Sequence, residues 1–198
     1  VVDGLLLRGR NNGAGEVGYM VLDRSQLRQP RPDALGSFET LASGVGVAAL
    51  AADALGHDER PSTLRGLGRA AASRDVFEAA TQGDELAGEL LDRMVEHVAM
   101  AIINMGSVVD SDVVVLDGSV GLALGDRAAD IEELAGHHLP APPKVVISSL
   151  AGEATAIGAV AAALDLSRAK RGRRPSTRVG TRMPVPAGAA AASGAAGA

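Results

Sequence analysis

Residues 11–44 read NNGAGEVGYMVLDRSQLRQPRPDALGSFETLASG, and the rest of the chain is organised around the two glutamates in this stretch, Glu16 and Glu39. Three glycines surround Glu16, so the backbone there can adopt conformations closed to other residues and can let a ligand approach closely. Glu39 precedes a helical pattern at 45–55, and the helix dipole favours a carboxylate in a first turn. Because carboxylates accept several hydrogen bonds, both side chains are candidates for holding the hydroxyl groups of a ligand. The alternative is two ordinary surface acids.

The composition of the 198 residues excludes several classes of protein. There is no cysteine, which rules out a disulfide framework and any cysteine metal site or nucleophile. The only aromatic residues are Tyr19, Phe38 and Phe77, which leaves almost no material for stacking nucleic-acid bases. No apolar run approaches the about 20 residues needed to cross a bilayer, and no segment resembles a signal peptide, so we expect a cytoplasmic protein without membrane contact.

The net charge of −5 conceals an asymmetry along the chain. All 24 acidic residues lie at or before Asp165, whereas only 12 of the 19 basic residues precede Ser167, so residues 1–166 carry a balance of −12. An acidic body disfavours nucleic-acid binding, which needs a cationic face. Residues 167–198 carry the remaining seven basic residues and end in a run of Ala, Gly and Ser. We expect a folded domain over 1–166 and a disordered tail over 167–198.

The hydrophobic pattern predicts alternating strands and helices. The longest helical signal repeats apolar residues every four positions over 84–107, and Gly106 is expected to end it. The run VVVL at 113–116 lacks alternation, which is typical of a strand covered on both faces in a parallel sheet. The order of elements predicts a layered α/β fold. Strands are predicted at 1–7, 16–22, 113–116 and 144–148, a loop at 24–37, and helices at 45–55, 62–72, 75–81, 84–107, 126–137 and 154–166, with Ser62 and Ser73 as N-caps.

Two motifs carry a resemblance to a known family. Residues 13–19 read GAGEVGY, and residues 36–44 read GSFETLASG. This pair resembles the ROK family, which contains sugar kinases and sugar-responsive repressors built on the actin-like ATPase (ribonuclease H-like) fold. The resemblance implies that residues 1–166 form the C-terminal lobe of such a protein, with most of the N-terminal lobe upstream of Val1. It also implies that Glu16 and Glu39 hold the hydroxyl groups of a hexose.

Two departures from the family pattern concern zinc. Tyr19 stands where the family usually has a histidine that contacts the sugar and binds zinc. Its hydroxyl could keep the sugar contact, or Tyr19 could pack in a strand at the base of the loop. Ser37 stands at the last of three usual cysteine positions, and thiolates are the usual ligands of structural zinc. We therefore expect no zinc, and a loop held by packing with help from Pro30 and Pro32.

A second candidate site follows the strand predicted at 113–116. Residues 117–121 read DGSVG, and nucleotides bind at the carboxyl ends of the strands in open α/β sheets. The resemblance implies that Gly118, Ser119 and Val120 contact the adenosine of ATP, although Asp117 and Ser119 replace glycines that the family commonly has. The alternative is a plain tight loop. Residues 43–46 could likewise offer helix N–H groups to a phosphate, or small residues for close packing.

The implied reaction transfers the γ-phosphoryl group of ATP, with Mg²⁺ on its phosphates, to a hexose hydroxyl, as in a glucokinase. The family's catalytic aspartate and its first phosphate-binding motif lie upstream of Val1, so no residue of this chain receives a catalytic role. The family also implies a homodimer. Two other functions stay open: a ROK repressor whose upstream helix-turn-helix binds DNA, and an interaction module without a ligand, which the surroundings of Glu16 and Glu39 disfavour.

Overall fold

The fold is that of a computed structural model of the chain, which describes residues 1–2, 6–28, 35–150 and 152–170. Two parallel strands, β1 (Val113–Leu116) and β2 (Lys144–Ile147), pair with Val113 opposite Lys144 and Leu116 opposite Ile147. The α-helices within the described ranges are α1 (Glu39–Ala42), α2 (Gly44–His57), α3 (Ser73–Thr81), α4 (Glu85–Val109), α5 (Gly118–Ala123), α6 (Ala128–Gly136) and α7 (Ala154–Lys170). Shorter 3₁₀ turns cover Val17–Tyr19, Arg24–Arg28, Thr63–Leu67 and Gly125–Arg127.

The hydrophobic core is assembled on the long helix α4. Its inward stripe contacts α2, α3 and α6, and it includes the fully buried side chains of Met94, Val95 and Ile102. Val76 of α3 and Ile131 of α6 pack into the same cluster. Because burying one such side chain stabilises by about 1.5–3 kcal/mol, the four-residue repeat on α4 accounts for why the other helices gather around it.

The two ends of α4 show what sets its length. At the start, Asp84 accepts a hydrogen bond from the N–H of Ala87 (3.1 Å) and another from the N–H of Thr63 (2.6 Å). At the end, α4 runs past Gly106 to Val109, and Asp110 adopts a left-handed conformation with φ 52°. The prediction that Gly106 ends the helix is wrong. Its missing side chain instead makes room for Leu139, whose Cδ1 would lie 2.7 Å from a Cβ at that position.

The strand predicted at 16–22 is not formed. The 3₁₀ turn Val17–Tyr19 takes its place, closed by a hydrogen bond from the N–H of Met20 to the carbonyl of Val17 (2.9 Å). Of the strand predicted at 1–7, Val2 forms an isolated β-bridge, residues 3–5 lie outside the described part, and residues 6–7 have no regular structure. A strand needs partners for its backbone polar groups, and within the described ranges only β1 and β2 form a ladder.

The strands β1 and β2 are predicted correctly in position but not in their surroundings. Val113 and Val115 are 49% and 55% exposed, whereas Val145 of β2 is buried in the core. The expectation that both faces of β1 are covered is therefore wrong for the described structure. Every position of the run VVVL is apolar, so the sequence carries no alternation that would reveal the open face.

Several boundaries of the remaining elements differ from the prediction. A 3₁₀ turn over Thr63–Leu67 replaces the helix predicted at 62–72 and ends at Gly68, where φ is +67°. Helix α3 begins at Ser73, so Ser73 is not its N-cap. The carboxylate of Asp75 instead accepts a hydrogen bond from the N–H of Ala72 (2.7 Å).

The predicted loop at 24–37 and the predicted tail extend beyond the described residues. The loop contains the 3₁₀ turn Arg24–Arg28, while Pro30 and Pro32 lie outside the described ranges. Helix α7 continues to Lys170, four residues beyond the predicted domain boundary at 166, and residues 171–198 are not described. The disordered tail therefore stays a prediction. None of the described helices combines the length and the apolar character that crossing a membrane requires.

Candidate functional site

The loop that carries Glu16 is a succession of tight turns. Gly9 and Gly15 have positive φ angles of 69° and 90°, and Asn12 has a φ of 58°. The loop closes on itself through the N–H of Ala14, which donates to the carbonyl of Arg8 (3.1 Å). Glu16 follows directly and is exposed. Glycines at the left-handed positions thus allow a compact loop that presents Glu16 to solvent.

Glu39 is held in the first turn of α1. It is half-buried, and its Oε2 accepts a hydrogen bond from the N–H of Gly36 (3.3 Å). The turn before it is closed by the hydroxyl of Thr40, which donates to the carbonyl of Ser37 (2.7 Å). Within the part of the chain that the structure describes, Oε1 of Glu39 has no hydrogen bond. One oxygen is thus fixed by the backbone, and the other is available to a ligand.

A crossing of two glycines brings the segments of Glu16 and Glu39 together. A Cβ at Gly36 would lie 1.9 Å from the carbonyl oxygen of Gly18, so the two backbones touch directly. A Cβ at Gly18 would lie 3.5 Å from Cβ and 3.6 Å from Oε2 of Glu39. The structure therefore places the Glu39 carboxylate against the turn Val17–Tyr19, which begins immediately after Glu16.

Tyr19 ends the same turn. Its N–H donates to the carbonyl of Glu16 (3.2 Å), and its side chain is 50% exposed. The alternative that places Tyr19 in a strand is wrong, because this segment forms a 3₁₀ turn. The three residues predicted from the sequence for sugar contact thus lie on two touching segments.

The second candidate site lies where β1 ends. The tight loop predicted at 117–121 is instead the start of the short helix α5, which begins at Gly118 with a φ of +74°. No atom lies within 4 Å of a Cβ built on Gly118, Ser119 is exposed, and Val120 is half-buried. Because β1 and β2 are parallel, their carboxyl ends share one edge, where nucleotides bind in such sheets.

Asp117 has a structural partner at this edge. Its Oδ1 accepts a hydrogen bond from the N–H of Gly152 (3.3 Å), which ties the end of β1 to the segment before α7. Gly152 has a φ of +86°. The carboxylate that replaces a family glycine is thus oriented toward the neighbouring connection, and the open side of Gly118 stays accessible.

The junction between α1 and α2 lies close to both candidate sites. A Cβ at Gly44 would lie 3.2 Å from Oγ of Ser73 and 3.9 Å from Cγ2 of Val120. Ser43 caps α2 by accepting the N–H of Gly46 (3.1 Å). That N–H is therefore occupied, and close packing explains the glycines at 44 and 46 better than phosphate binding does.

A charged cleft of about 370 Å³ between the end of α2 and α4 lies apart from both sites. One of its two guanidinium groups, that of Arg60, donates to Glu89 (2.5 Å) and to Asp58 (2.7 Å). Hydrogen bonds from Arg60 lower the pKa of both carboxyls below their ordinary values. Arg60 is thus paired within the cleft, whose lining also includes Glu59 and Arg93.

The described part of the chain forms no metal centre. Over the described ranges, no group of three or more His, Asp or Glu residues is arranged to hold a metal ion. At the position of the family's zinc histidine stands Tyr19, and Ser37 stands at a cysteine position. The residues present do not fit a zinc ion of the family's kind, and the absence of zinc stays a prediction.

The sequence profile of the ROK family matches residues 1–166. The chain belongs to the ROK family. It is 30% identical over 158 residues to a bifunctional enzyme NanE/NanK of Brucella melitensis, covering 80% of this chain and 27% of that enzyme. It is 32% identical over 125 residues to an N-acetylmannosamine kinase of Yersinia pestis, covering 61% of this chain and 37% of the kinase. The chain thus spans between a quarter and two fifths of these relatives.

Solved structures of ROK proteins share the fold. A protein of Cytophaga hutchinsonii provisionally described as a sugar kinase superposes with a TM-score of 0.67 at 20% identity, covering 80% of this chain and 51% of that protein. A ROK hexokinase of Thermus thermophilus superposes with a TM-score of 0.62 at 26% identity, covering 80% of this chain and 50% of the hexokinase. A ROK transcriptional regulator homologous to the Escherichia coli MLC protein superposes with a TM-score of 0.63 at 24% identity, covering 74% of this chain and 37% of the regulator. The α/β fold is therefore the actin-like ATPase fold of these sugar kinases.

The sequence assigns no role of its own to Gly36, which stands only as the first residue of the motif GSFETLASG, although its backbone contacts both Gly18 and Glu39. For Gly44 the sequence leaves phosphate binding and close packing open, and the structure places it beside Val120. The signal available was the presence of glycines on both sides of Glu39, but a motif does not show which backbone each glycine touches.

Proposed function

We propose that the protein carrying this chain is an ATP-dependent kinase that phosphorylates a hexose, in the manner of a glucokinase. The observation that carries the proposal is the contact between the Glu39 turn and the Glu16 turn across Gly18 and Gly36. Support comes from the relatives, which include an N-acetylmannosamine kinase and a hexokinase, since both names point to six-carbon sugars as substrates.

In this proposal the chain binds and orients the sugar. Glu16 and the unoccupied oxygen of Glu39 accept hydrogen bonds from neighbouring hydroxyls, and Tyr19 adds a third contact from the same turn. Two carboxylates at fixed positions discriminate between epimers, because an inverted hydroxyl leaves one acceptor unpaired. No residue of the chain is given a catalytic role, and removal of the hydroxyl proton is left to groups outside residues 1–198.

The nucleotide is proposed to lie at the edge where β1 ends, against Gly118, Ser119 and Val120. The open space beside Gly118 and the exposure of Ser119 fit a flat group lying over the start of α5. Mg²⁺ carried on the phosphates supplies charge neutralisation for phosphoryl transfer. Because the described residues offer no cluster of carboxylates for it, the ion is proposed to arrive with ATP. The reaction is proposed to take place in a cytoplasmic homodimer.

The second candidate function is a sugar-sensing repressor. It is favoured by the structural similarity to a ROK transcriptional regulator. A repressor would use Glu16 and Glu39 for the same sugar contacts, with DNA bound by a helix-turn-helix outside residues 1–198. Neither ATP turnover nor contact at Gly118 would then be needed.

An assay of the complete gene product separates the two functions. ADP formation is followed with Mg²⁺ and ATP in the presence of glucose, N-acetylmannosamine, other hexoses, and no sugar. The kinase proposal predicts ADP formation that depends on one of the sugars and stops when EDTA removes Mg²⁺. Absence of turnover with every sugar, together with DNA binding that a sugar weakens, would replace the kinase with the repressor.

A further inference from the structure

We propose that Gly36 is a positioning residue of the sugar site, acting through Glu39. This inference rests on the proposed function. Gly36 does two things at this position, and the second requires a glycine. Its N–H holds Oε2 of Glu39 at 3.3 Å, and its missing side chain lets its backbone contact the carbonyl of Gly18.

The hydrogen bond selects which oxygen of Glu39 meets the ligand. A carboxylate on a flexible side chain can present either oxygen in several orientations. With Oε2 bonded to the backbone three residues earlier, the half-buried side chain is fixed. Oε1 then has a set direction, and its pairing with one particular hydroxyl becomes specific. A charged acceptor held in this way is already oriented before the sugar arrives.

The backbone contact sets where that oxygen lies relative to Glu16. A Cβ at Gly36 would stand 1.9 Å from the carbonyl oxygen and 2.2 Å from the carbonyl carbon of Gly18. Both neighbours are main-chain atoms, so no side-chain rotation can relieve the overlap. Any side chain at 36 must therefore push the Glu39 turn away from the turn that follows Glu16, and it separates the two proposed sugar contacts.

The first test is a double-mutant cycle between Gly36→Ala and Glu39→Gln in the complete gene product, with hexose binding measured by calorimetry. Loss of a hydrogen bond to a charged group costs about 1.5–3 kcal/mol, so Glu39→Gln should weaken the hexose roughly ten- to a hundred-fold. Gly36→Ala should weaken it by a similar or smaller factor. The double variant should be no weaker than Glu39→Gln alone, because contacting residues are not additive. ATP affinity should stay unchanged in all three.

Gly56→Ala is the matched control. Gly56 lies in α2, is exposed, and has no atom within 4 Å of an added Cβ. It should leave hexose affinity as in the wild type. If Gly36→Ala does not fold, Gly18→Ala is the deciding variant. Its added Cβ would lie 3.5–3.6 Å from Glu39, an ordinary contact distance, and it leaves the backbone contact between residues 18 and 36 in place. It should weaken the hexose several-fold in the wild type and not in the Glu39→Gln background.

The outcomes separate this inference from the proposed function. A wild-type protein that binds no hexose, or a Glu39→Gln variant with unchanged hexose affinity, overturns the sugar site itself. If Glu39→Gln weakens the hexose but Gly36→Ala leaves it unchanged, only the positioning role fails. Additive losses in the double variant would also overturn it, because Gly36 would then act independently of Glu39.

Discussion

Two Gly→Ala changes in helix α2 test the contact on which the placement of Glu39 depends. At Gly46 an added Cβ would lie 2.3 Å from the carbonyl oxygen of Thr40 and 2.9 Å from that of Glu39. At Gly56 the added Cβ would meet nothing within 4 Å. The two changes are chemically identical and each lies in a terminal turn of the same helix, so the main difference is what the methyl group meets.

The expected magnitudes follow from these distances. Replacing glycine by alanine inside a helix stabilises by about 0.5–1 kcal/mol, so Gly56→Ala should raise the free energy of unfolding by that amount. At Gly46 the methyl overlaps main-chain atoms of α1, and overpacking of this kind costs about 1–3 kcal/mol or more. After the same helical gain, Gly46→Ala should lower the free energy of unfolding by about 1–2 kcal/mol.

Thermal unfolding followed by circular dichroism measures both effects. Since 1 kcal/mol shifts the Tm by about 2–4 °C in a chain of this size, Gly56→Ala should raise the Tm by a few degrees and Gly46→Ala should lower it by several. Equal stabilisation by both changes would refute the reasoning. It would mean that α1 does not lie against α2, and the position of Glu39 would lose its support.

Three further predictions concern the core, the pH dependence and metal content. Met94→Ala should lower the free energy of unfolding by about 2–5 kcal/mol, measured by urea unfolding, because Met94 is 2% exposed at the centre of α4; an unchanged midpoint would contradict its core position. Hydrogen bonds from Arg69 lower the pKa of Asp75 from 3.8 to about 2, so the stability that this carboxylate contributes is present above pH 3.8 and is lost as the pH falls through 2. Stability should therefore fall less steeply over that range in Asp75→Asn than in the wild type, and parallel pH profiles would contradict the assignment. Metal analysis of the purified protein should find no stoichiometric zinc, and one zinc per chain would overturn the assignment of Tyr19 and Ser37.

The sequence predicts the helices better than the strands, for a physical reason. The repeat along α4 is a property of that helix alone, because burial of its apolar stripe requires only some partner. The segment 16–22 carries the apolar residues Val17, Met20 and Leu22, which suit a strand, but a strand also requires a second strand at hydrogen-bonding distance. The glycines of 13–18 favour local turns instead, and the 3₁₀ turn Val17–Tyr19 is the result.

The sequence proposes residues for the candidate site but not its geometry. The motifs around Glu16 and Glu39 make both residues candidates, because glycines and small residues cluster where a backbone must turn or come close. The contact between Gly18 and Gly36 joins positions that are far apart in the sequence and separated by a loop that is only partly described. It depends on how α1 packs against the turn at 17–19, which no local pattern encodes.

The carboxyl edge of β1 shows the same limit. The run VVVL followed by DGSVG indicates a strand and a tight loop; the strand is confirmed, but residues 118–121 form the start of helix α5. The helical start at Gly118 and the hydrogen bond from Gly152 to Asp117 depend on the parallel pairing of β1 with β2. That pairing is tertiary information, so the role of Asp117 could not be read from the replaced glycine alone.

The central claim is that the two carboxylates hold separate hydroxyls of one hexose. Calorimetric titration of the preferred hexose and its monodeoxy analogues against the wild type, Glu16→Gln and Glu39→Gln tests it most directly. The account predicts that one deoxy analogue has a lower affinity than the parent sugar for the wild type, but the same affinity as the parent sugar for Glu39→Gln. A different deoxy analogue should show the same pattern with Glu16→Gln. Unchanged hexose affinity in both variants, or an equal loss with every analogue in every protein, would contradict it.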